Sequence, residues 1–212
     1  MLHEELRQKL IDTALTMERY GLIRMSGGNV SLRVGDLVLV TPTAMAYETM
    51  KPEDIVITDL EGNTVEGIRR PTSDLKAVLY ILKHMDVKAV IHTHQPKAVA
   101  LSLVADRLPL ISTTLVDEVK DEVKVAPFTI SSDEGMGIET VKHAGKALCV
   151  ILKNHGVMAY GKDLEQALCA AVYLEESCDV YLQALSTGRP VAVLSREEAD
   201  AEDAPRGYYG QP

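Results

Sequence analysis

Three histidines in this chain have a spacing that suits metal ligation. His92 and His94 stand two residues apart at the end of an apolar, strand-like run in "AVIHTHQP", so both imidazoles project from one face of a strand. His155 follows a second apolar run and directly precedes Gly156. Three histidine ligands leave one coordination position open for a substrate oxygen, as a catalytic zinc site requires. An isolated HxH pattern also occurs at ordinary strand ends, so the neighbouring motifs must decide between the two interpretations.

Three short motifs earlier in the chain carry the glycines and hydroxyls typical of an anion site. Gly28 and Asn29 lie in "SGGN", where glycines let a phosphate approach the backbone amides. Thr43 ends a predicted strand in "TPT". Thr72 and Ser73 precede a predicted helix, whose free amides attract anions. Taken singly, each motif is also explained as an ordinary turn, strand end or helix cap.

Two carboxylates and one phenol are candidates for proton transfer. Asp74 opens the helix after Thr72 and Ser73; it either stabilises the helix dipole or, if it faces the histidines, acts as a fourth metal ligand or as a base. Asp117 lies in the charged run "DEVKDE", for which a solvated surface is the simpler explanation. Tyr209, in "GYYGQ" near the end of the chain, carries a hydroxyl that can donate a proton.

The composition excludes several classes of protein. With 212 residues and 46% hydrophobic content, the chain fits one domain with one sizeable core. A formal net charge of −9 argues against nucleic acid or an anionic membrane as partner. We expect no signal peptide, because the first ten residues are charged at helical spacing, and the sequence shows no apolar run long enough to span a membrane. Its three cysteines lack CxxC spacing, so we expect reduced core thiols and a cytoplasmic protein.

The hydrophobic periods predict helices alternating with short strands. One helix is expected over residues 3–20, followed by two hairpin-like segments up to about residue 67. Later helices are expected after Ser73, from Pro96, and over "GIETVKHAGKAL" and "LEQALCAAVYLEESCDVYLQAL", whereas "LPLISTTL" is predicted to be β-rich. This order favours an α/β fold, a three-layer α/β/α sandwich around a mixed, largely antiparallel sheet. Residues 1–194 form the predicted domain, and residues 195–212 a mobile C-terminal tail, because residues 195–205 are too polar to pack.

In chain order, "SGGNVS", "TPT", "RPTSD", "IHTHQP", "KNHGVMAYGKDLEQAL" and "YYGQ" resemble the class II sugar-phosphate aldolase/epimerase family over nearly the whole chain. The resemblance implies that residues 1–194 are a class II aldolase domain that uses Zn²⁺ or another divalent metal. It also implies a phosphorylated sugar substrate and a homotetramer with active sites at the subunit interfaces. The residues that match the family's positions are His92, His94 and His155 for the metal; Gly28, Asn29, Thr43, Thr72 and Ser73 for phosphate; and Asp74, Asp117 and Tyr209 for catalysis, the last two acting across the interface.

The matched positions combine features of the family's aldolases and of its 4-epimerases. Asp74 stands where the aldolases carry Glu, and "HTH", "TTLVD" and "YYGQ" are also epimerase-like. Thr41 in place of the epimerase Lys, and the short chain around residues 128–145, are instead like the compact aldolases. Ala44 stands where both groups favour Gly.

The expected function is that of a zinc-dependent aldehyde-lyase, which cleaves a ketose 1-phosphate of the fuculose type to dihydroxyacetone phosphate and an aldehyde. The first alternative is a 4-epimerase of a pentulose 5-phosphate of the L-ribulose 5-phosphate type. A related sugar-acid decarboxylase or dehydratase is another. A non-catalytic adducin-like module is the last alternative, and the retained histidine triad speaks against it, because a scaffold has no use for an open metal site.

Overall fold

A computed structural model describes residues 1–204 of the chain. Its strands are β1 (Asn29–Val34), β2 (Leu37–Val40), β3 (Val56–Asp59), β4 (Thr64–Glu66), β5 (Ala89–Thr93), β6 (Arg107–Leu108), β7 (Val123–Ala126), β8 (Cys149–Leu152) and β9 (Gly156–Gly161). Its helices are α1 (Glu4–Arg19), α2 (Leu75–His84), α3 (Pro96–Ser102), α4 (Thr113–Val119), α5 (Gly135–His143), α6 (Leu164–Ser186) and α7 (Arg196–Glu202).

The strands form one sheet with the order β4-β3-β2-β1-β5-β9-β8-β7-β6. Every neighbouring pair is antiparallel except β7 and β8. Side chains alternate between the two faces of each strand. On β5, Ile91 packs in the core that contains residues of α1, α3, α4 and α6, whereas Val90 packs in the core that contains residues of α2 and α5. The predicted three-layer α/β/α sandwich with a mixed, largely antiparallel sheet is confirmed.

Strand β5 lies at the centre of the sheet, between β1 and β9. All five of its residues are buried. The register pairs His92 with Asn29 on one side and with Met158 on the other. The fold therefore joins the first histidine motif to the "SGGN" turn and to the strand that follows His155.

One predicted β-rich segment is partly helical. The prediction of β structure over "LPLISTTL" was wrong at its end, because residues 113–119 form α4. The hydroxyl of Ser112 caps this helix by accepting a hydrogen bond from the backbone N–H of Leu115 at 3.2 Å. Leu115, Val116 and Val119 are buried at helical spacing, so the apolar period there is that of a helix.

The segment expected to be too polar to pack contains helix α7. Ser195 and Glu198 form a capping box, a sequence signal that was overlooked. Ala199 is 3% exposed and packs with Leu110 and Val116, so the expectation was wrong for this part of the chain. Arg196 also contacts the carboxylate of Asp121 at 2.6 Å, which ties α7 to the end of α4. The domain boundary at residue 194 stays a prediction.

All three cysteines of the chain lie within the described residues 1–204. Cys149, Cys169 and Cys178 are all free, and the first and last are buried. Burial raises the pKa of each of these thiols, which favours their protonated form at neutral pH. No helix in this part of the chain combines the length and the apolar character needed to cross a membrane.

A glycine contact between α2 and α5 provides a test of the packing on one face of the sheet. A methyl group at Gly137 would lie 2.5 Å from the carbonyl oxygen of Ala77 and 2.9 Å from Cβ of Tyr80. We expect Gly137→Ala to lower the free energy of unfolding by about 1–3 kcal/mol, because the two helices must move apart.

Gly135→Ala on the same helix is the matched control, since its methyl group would meet no atom closer than 3.5 Å. It should be neutral or stabilising by up to about 1 kcal/mol, because alanine has the higher helix propensity. Urea unfolding of both variants measures the difference, and equal stabilities would contradict the close helix contact.

Candidate active site

The three histidines predicted as metal ligands converge in the structure. Nε2 of His92 lies 3.1 Å from Nε2 of His94 and 3.2 Å from Nε2 of His155. The candidate ligand atoms of the three side chains all lie within 4.8 Å of one another. His92 is buried, His155 is half-buried and His94 is exposed, so the cluster opens to solvent on one side.

The tautomer of His92 is set by a backbone carbonyl. Nδ1 of His92 lies 2.9 Å from the carbonyl oxygen of Val157 on β9. A carbonyl oxygen only accepts hydrogen bonds, so Nδ1 carries the proton and Nε2 presents its lone pair to the cluster. This is the arrangement by which proteins orient a metal-bound histidine.

Burial keeps the imidazoles neutral. It lowers the pKa of His92 to about 3, with a further lowering from the positive charge that His94 and His155 can carry. Burial also lowers the pKa of His94 and of His155, although the carboxylate of Asp74 opposes both shifts. Neutral imidazole is the form that binds metal, so the donor set is ready for a cation at neutral pH.

These donors fit a divalent metal such as zinc. Nitrogen ligands at 2.0–2.1 Å in a tetrahedral site lie about 3.3 Å from one another, close to the Nε2 separations of His92 from its two partners. Three imidazoles on a partly exposed site leave room for a substrate oxygen as the fourth ligand. The residues present therefore suit a catalytic metal site better than a closed structural one.

His155 reaches the cluster from a tight turn between β8 and β9. Asn154 adopts a left-handed conformation with φ of 60°, and the backbone N–H of His155 donates to the carbonyl oxygen of Leu152 at 3.1 Å. Gly156 then passes so close to the carbonyl oxygen of Thr93 that a Cβ atom would collide with it. The glycine after His155 is thus required for β9 to pair beside the first two histidines.

Asp74 lies beside the histidine cluster at the start of α2. Its Oδ2 is 3.9 Å from Nε2 of His92 and accepts a hydrogen bond from Nδ2 of Asn29 at 2.9 Å. The hydroxyl of Ser132 donates to Oδ1 at 3.4 Å. The carboxylate is therefore oriented near the cluster without being one of its three converging donors.

The "SGGN" turn packs directly against the histidine motif. Gly28 has φ of 71°, and a Cβ atom there would collide with the carbonyl oxygen of His92. Tyr47 supports the turn from below by donating to the carbonyl oxygen of Gly28 at 2.8 Å. Burial raises the pKa of Tyr47 to about 12, so its hydroxyl remains a donor. Asn29 is buried, and its Oδ1 has no hydrogen-bond partner among the described residues.

The two threonine motifs are joined to each other by the backbone. The N–H of Thr72 donates to the carbonyl oxygen of Thr41 at 3.0 Å, and the N–H of Thr43 donates to that of Arg70 at 3.1 Å. The Thr72 hydroxyl accepts from the N–H of Asp74 at 3.3 Å. Thr43 and Ser73 are exposed. The hydroxyl motifs thus lie together at the start of α2. Asp74, which follows them, accepts a hydrogen bond from Asn29 and so joins them to the "SGGN" turn.

Two predicted catalytic residues are not brought to the cluster within the described chain. Asp117 lies on α4, which packs against α6 and α7. It is not among the side chains whose ligand atoms converge with the histidines. Tyr209 lies outside the described residues. The roles expected for these two residues stay predictions.

Three supporting groups could not be chosen from the sequence. The carbonyl of Val157 carries no residue-specific signal, and Tyr47 lies in a segment without motif character. Ser132 stands in a left-handed conformation with φ of 64°, in the loop before α5. Only the paired serines of "TISSDE" hinted at it, and serines are common in loops.

Comparison with known proteins agrees with this geometry. Residues 8–182 match the family described as Class II Aldolase and Adducin N-terminal domain. The chain belongs to the class II aldolase family. It is 32% identical to an L-fuculose phosphate aldolase of Haemophilus influenzae, over 93% of this chain and 92% of the relative. It is 30% identical to an L-ribulose-5-phosphate 4-epimerase of Salmonella paratyphi A, over 98% and 99%.

A solved structure of an L-fuculose 1-phosphate aldolase superposes on the chain with a TM-score of 0.90, at 27% identity and over 96% of each chain. The solved aldolase thus has the same fold as this chain, and the relatives named are enzymes of sugar phosphates. The similarity does not separate cleavage from epimerisation, because both activities occur among the relatives.

One departure from the class II aldolase pattern has a visible backbone consequence. Ala44, where the resemblance implies Gly, has φ of 55°. A residue with a Cβ atom is destabilised by about 1–2 kcal/mol in this left-handed region, whereas Gly adopts it at almost no cost. The turn after Thr43 is therefore kept in the glycine conformation although the glycine is missing.

Removal of one histidine should abolish metal binding by this class II aldolase. We expect the wild-type chain to retain about one Zn²⁺ after dialysis and His92→Ala to retain less than about a tenth, because two ligands no longer define a tight site. Elemental analysis measures the metal, and circular dichroism checks that the variant is folded.

His143→Ala is the control, because His143 lies on α5 with its Nδ1 at 2.9 Å from the carbonyl oxygen of Glu139. It should keep the full metal content. Equal zinc content in folded His92→Ala would contradict the assignment of the triad.

Proposed function

We propose that the chain is a cytoplasmic, zinc-dependent aldehyde-lyase of the class II aldolase family. Its substrate is a ketose 1-phosphate of the fuculose type, which it cleaves to dihydroxyacetone phosphate and an aldehyde. The observation that carries the proposal is the convergence of three neutral histidine nitrogens beside an oriented carboxylate. The named aldolase relative, with 93% of this chain covered, supports this choice of reaction.

His92, His94 and His155 are the residues that would hold the metal. When bound, a divalent cation supplies Lewis-acid stabilisation for negative charge that develops on the substrate's carbonyl oxygen. The protein's own contribution is to keep these imidazoles neutral and fixed before substrate arrives, so that little reorganisation is needed during the reaction. The buried bond from His92 to Val157 serves that purpose.

Asp74 is the proposed proton carrier. Cleavage of the bond between carbons 3 and 4 removes a proton from the 4-hydroxyl and requires one at carbon 3 of the dihydroxyacetone phosphate half. A carboxylate beside the metal site is suited to deliver that second proton as a general acid and to remove it in the reverse direction. The hydrogen bonds from Asn29 and Ser132 orient its two oxygens for this task.

The substrate phosphate is proposed to bind where the "SGGN" turn meets the start of α2. Gly28 and Asn29 are the proposed phosphate-binding residues of that turn, in which the side chain of Asn29 also donates to Asp74. The hydroxyls of Thr43, Thr72 and Ser73 are the proposed further donors. The first turn of a helix attracts anions, so α2 contributes favourably to the same end of the substrate.

The remaining proton transfers are proposed to use residues from a neighbouring subunit of a homotetramer. Asp74 is assigned to the proton at carbon 3. The proton of the 4-hydroxyl therefore needs a different acid/base group. Tyr209 carries a phenol and Asp117 a carboxylate, and both types of group can move a proton to or from an aldehyde oxygen.

A 4-epimerase of L-ribulose 5-phosphate is the second candidate. Asp74, in place of the Glu expected in the aldolases, favours it, as does the epimerase relative, with 98% of this chain covered. An epimerase breaks the same kind of C–C bond, keeps the aldehyde, rotates it and joins it again. The two reactions therefore share the metal site and differ in whether the aldehyde leaves.

A panel of phosphorylated ketoses separates the two activities. We expect zinc-loaded protein to release dihydroxyacetone phosphate from L-fuculose 1-phosphate or a related ketose 1-phosphate, measured with a coupled reductase assay. Conversion of L-ribulose 5-phosphate to its 4-epimer, measured by NMR, should be at least about tenfold slower in kcat/KM. Epimerisation without cleavage of any ketose 1-phosphate would overturn the main proposal in favour of the second.

Asp74→Asn tests the role of the carboxylate. The amide keeps the size of the side chain but cannot carry the proton, so kcat should fall by about 10²–10⁴-fold while the zinc content stays unchanged. Asp86→Asn, an equivalent change at an exposed residue just past the other end of α2, is the control and should retain full activity. A kcat for folded, zinc-loaded Asp74→Asn equal to that of the control would exclude Asp74 as the proton carrier.

A further inference from the structure

The position of His94 depends on the short segment between β5 and α3 rather than on the sheet. Strand β5 ends at Thr93, so His94 lies outside the ladder that holds His92. Its backbone N–H donates to the carbonyl oxygen of Leu22 at 3.0 Å. Its imidazole is exposed, in contrast to that of His92. The direction of this ring therefore depends on how the chain is held between β5 and α3.

The side chain of Gln95 holds this segment in place from the interior of the protein. Gln95 is fully buried, although it follows an exposed ligand. Its Oε1 accepts a hydrogen bond from the hydroxyl of Thr93 at 2.6 Å. Its Nε2 donates to the carbonyl oxygen of Ala171 on α6 at 2.7 Å. Both residues flanking His94 are thereby joined to each other, and the pair is anchored to the longest helix of the described chain.

Glu175 holds the next turn of the same segment. Its carboxylate accepts hydrogen bonds from the backbone N–H groups of Lys97 at 2.8 Å and Ala98 at 3.1 Å. These amides belong to the first turn of α3, which Gln95 precedes as the N-cap residue without making a side-chain cap bond. A carboxylate from another helix thus does the work that a capping side chain normally does.

The anchoring groups form one line along α6. Ala171, Glu175 and Asp179 are spaced four residues apart and so lie on one helix face. Asp179 contacts the ammonium group of Lys97 at 2.8 Å. This surface ion pair contributes little to stability by itself. The bond from Gln95 to Ala171 is fully buried, and the bond from the Lys97 N–H to Glu175 is charge-assisted.

We propose that Gln95 and Glu175 are positioning residues that hold His94 in ligating geometry against the other two histidines. The proposal rests on the metal site of the proposed function and adds to it how the exposed ligand is kept in place. Neither side chain touches the metal donors, so each acts through the backbone on either side of His94. The role is that of outer groups that orient a metal ligand.

The test uses the full chain, with Gln95→Met and Glu175→Ala as the disruptive variants. Methionine is unbranched and nearly as large as glutamine, so Gln95→Met removes the hydrogen bonds with little change in volume. Glu175→Gln is the intermediate variant, because its amide oxygen can replace one of the two carboxylate oxygens that accept from backbone N–H groups, whereas its NH2 group cannot accept. Glu176→Ala, at the exposed neighbouring position on α6, is the matched control for loss of one negative charge.

Zn²⁺ affinity is measured by competition with a chelator, and the ligand geometry by the visible absorption of the Co²⁺-substituted protein. We expect the dissociation constant for Zn²⁺ to rise by about 10–100-fold in Gln95→Met and Glu175→Ala, with a shifted and weaker Co²⁺ band. Glu175→Gln should recover part of the loss, and Glu176→Ala should match the wild type within about twofold. A purely structural role would lower stability but leave the Co²⁺ spectrum of the folded protein unchanged.

The outcomes separate this proposal from the metal site itself. Folded Gln95→Met and Glu175→Ala with wild-type affinity and spectrum would overturn the positioning role and leave the triad intact. If Gln95→Met does not fold, Glu175→Ala and its recovery by Glu175→Gln decide the matter. A wild-type chain that binds neither Zn²⁺ nor Co²⁺ more tightly than His92→Ala would overturn the metal site, and with it this proposal.

Discussion

The hydrogen bond from Nδ1 of His92 to the carbonyl of Val157 is the contact on which the candidate site depends. It links the central strand β5 to β9, fixes which ring nitrogen is free, and holds a buried imidazole that would otherwise lack a partner for its N–H group. Burial without that partner would cost free energy, so the interaction stabilises the core and prepares the ligand at once. The other donors are arranged around this fixed nitrogen.

The site is assembled from segments that each reach β5 by a different route. The glycine turn is placed by the pairing of β1 with β5, and His155 by the pairing of β9 with β5. Asp74 is placed at the start of α2 and accepts a hydrogen bond from Asn29. Each route depends on a close backbone approach or a buried polar bond, so few substitutions are tolerated there. Asp117 lies on α4, which packs against α6 and α7, and so stands apart from the converging metal donors. That division fits a family whose members cleave or epimerise related sugars.

Much of the fold was readable from the sequence, because amphipathic periods and glycine turns are local signals. The histidine spacing also identified the three converging side chains, since a strand places alternate residues on one face. The predictions that were wrong also concerned local sequence signals. The stretch before Asp117 was assigned to β structure because its helical period is short, and the burial of Ala199 on α7 was overlooked. Gln95 and Tyr47 were missed for another reason, because their partners are distant in sequence.

The separation of the ligands along the chain affects the order of events during folding. His92 and His155 are 63 residues apart, so the third nitrogen joins the first two only when β5 and β9 have paired. Closing so long a loop is slow compared with forming local turns. A cation that needs all three nitrogens has no complete site in the unfolded chain and cannot speed this step. If the triad binds a cation as proposed, the bound ion would slow unfolding rather than speed folding, because all three nitrogens are together only in the folded chain.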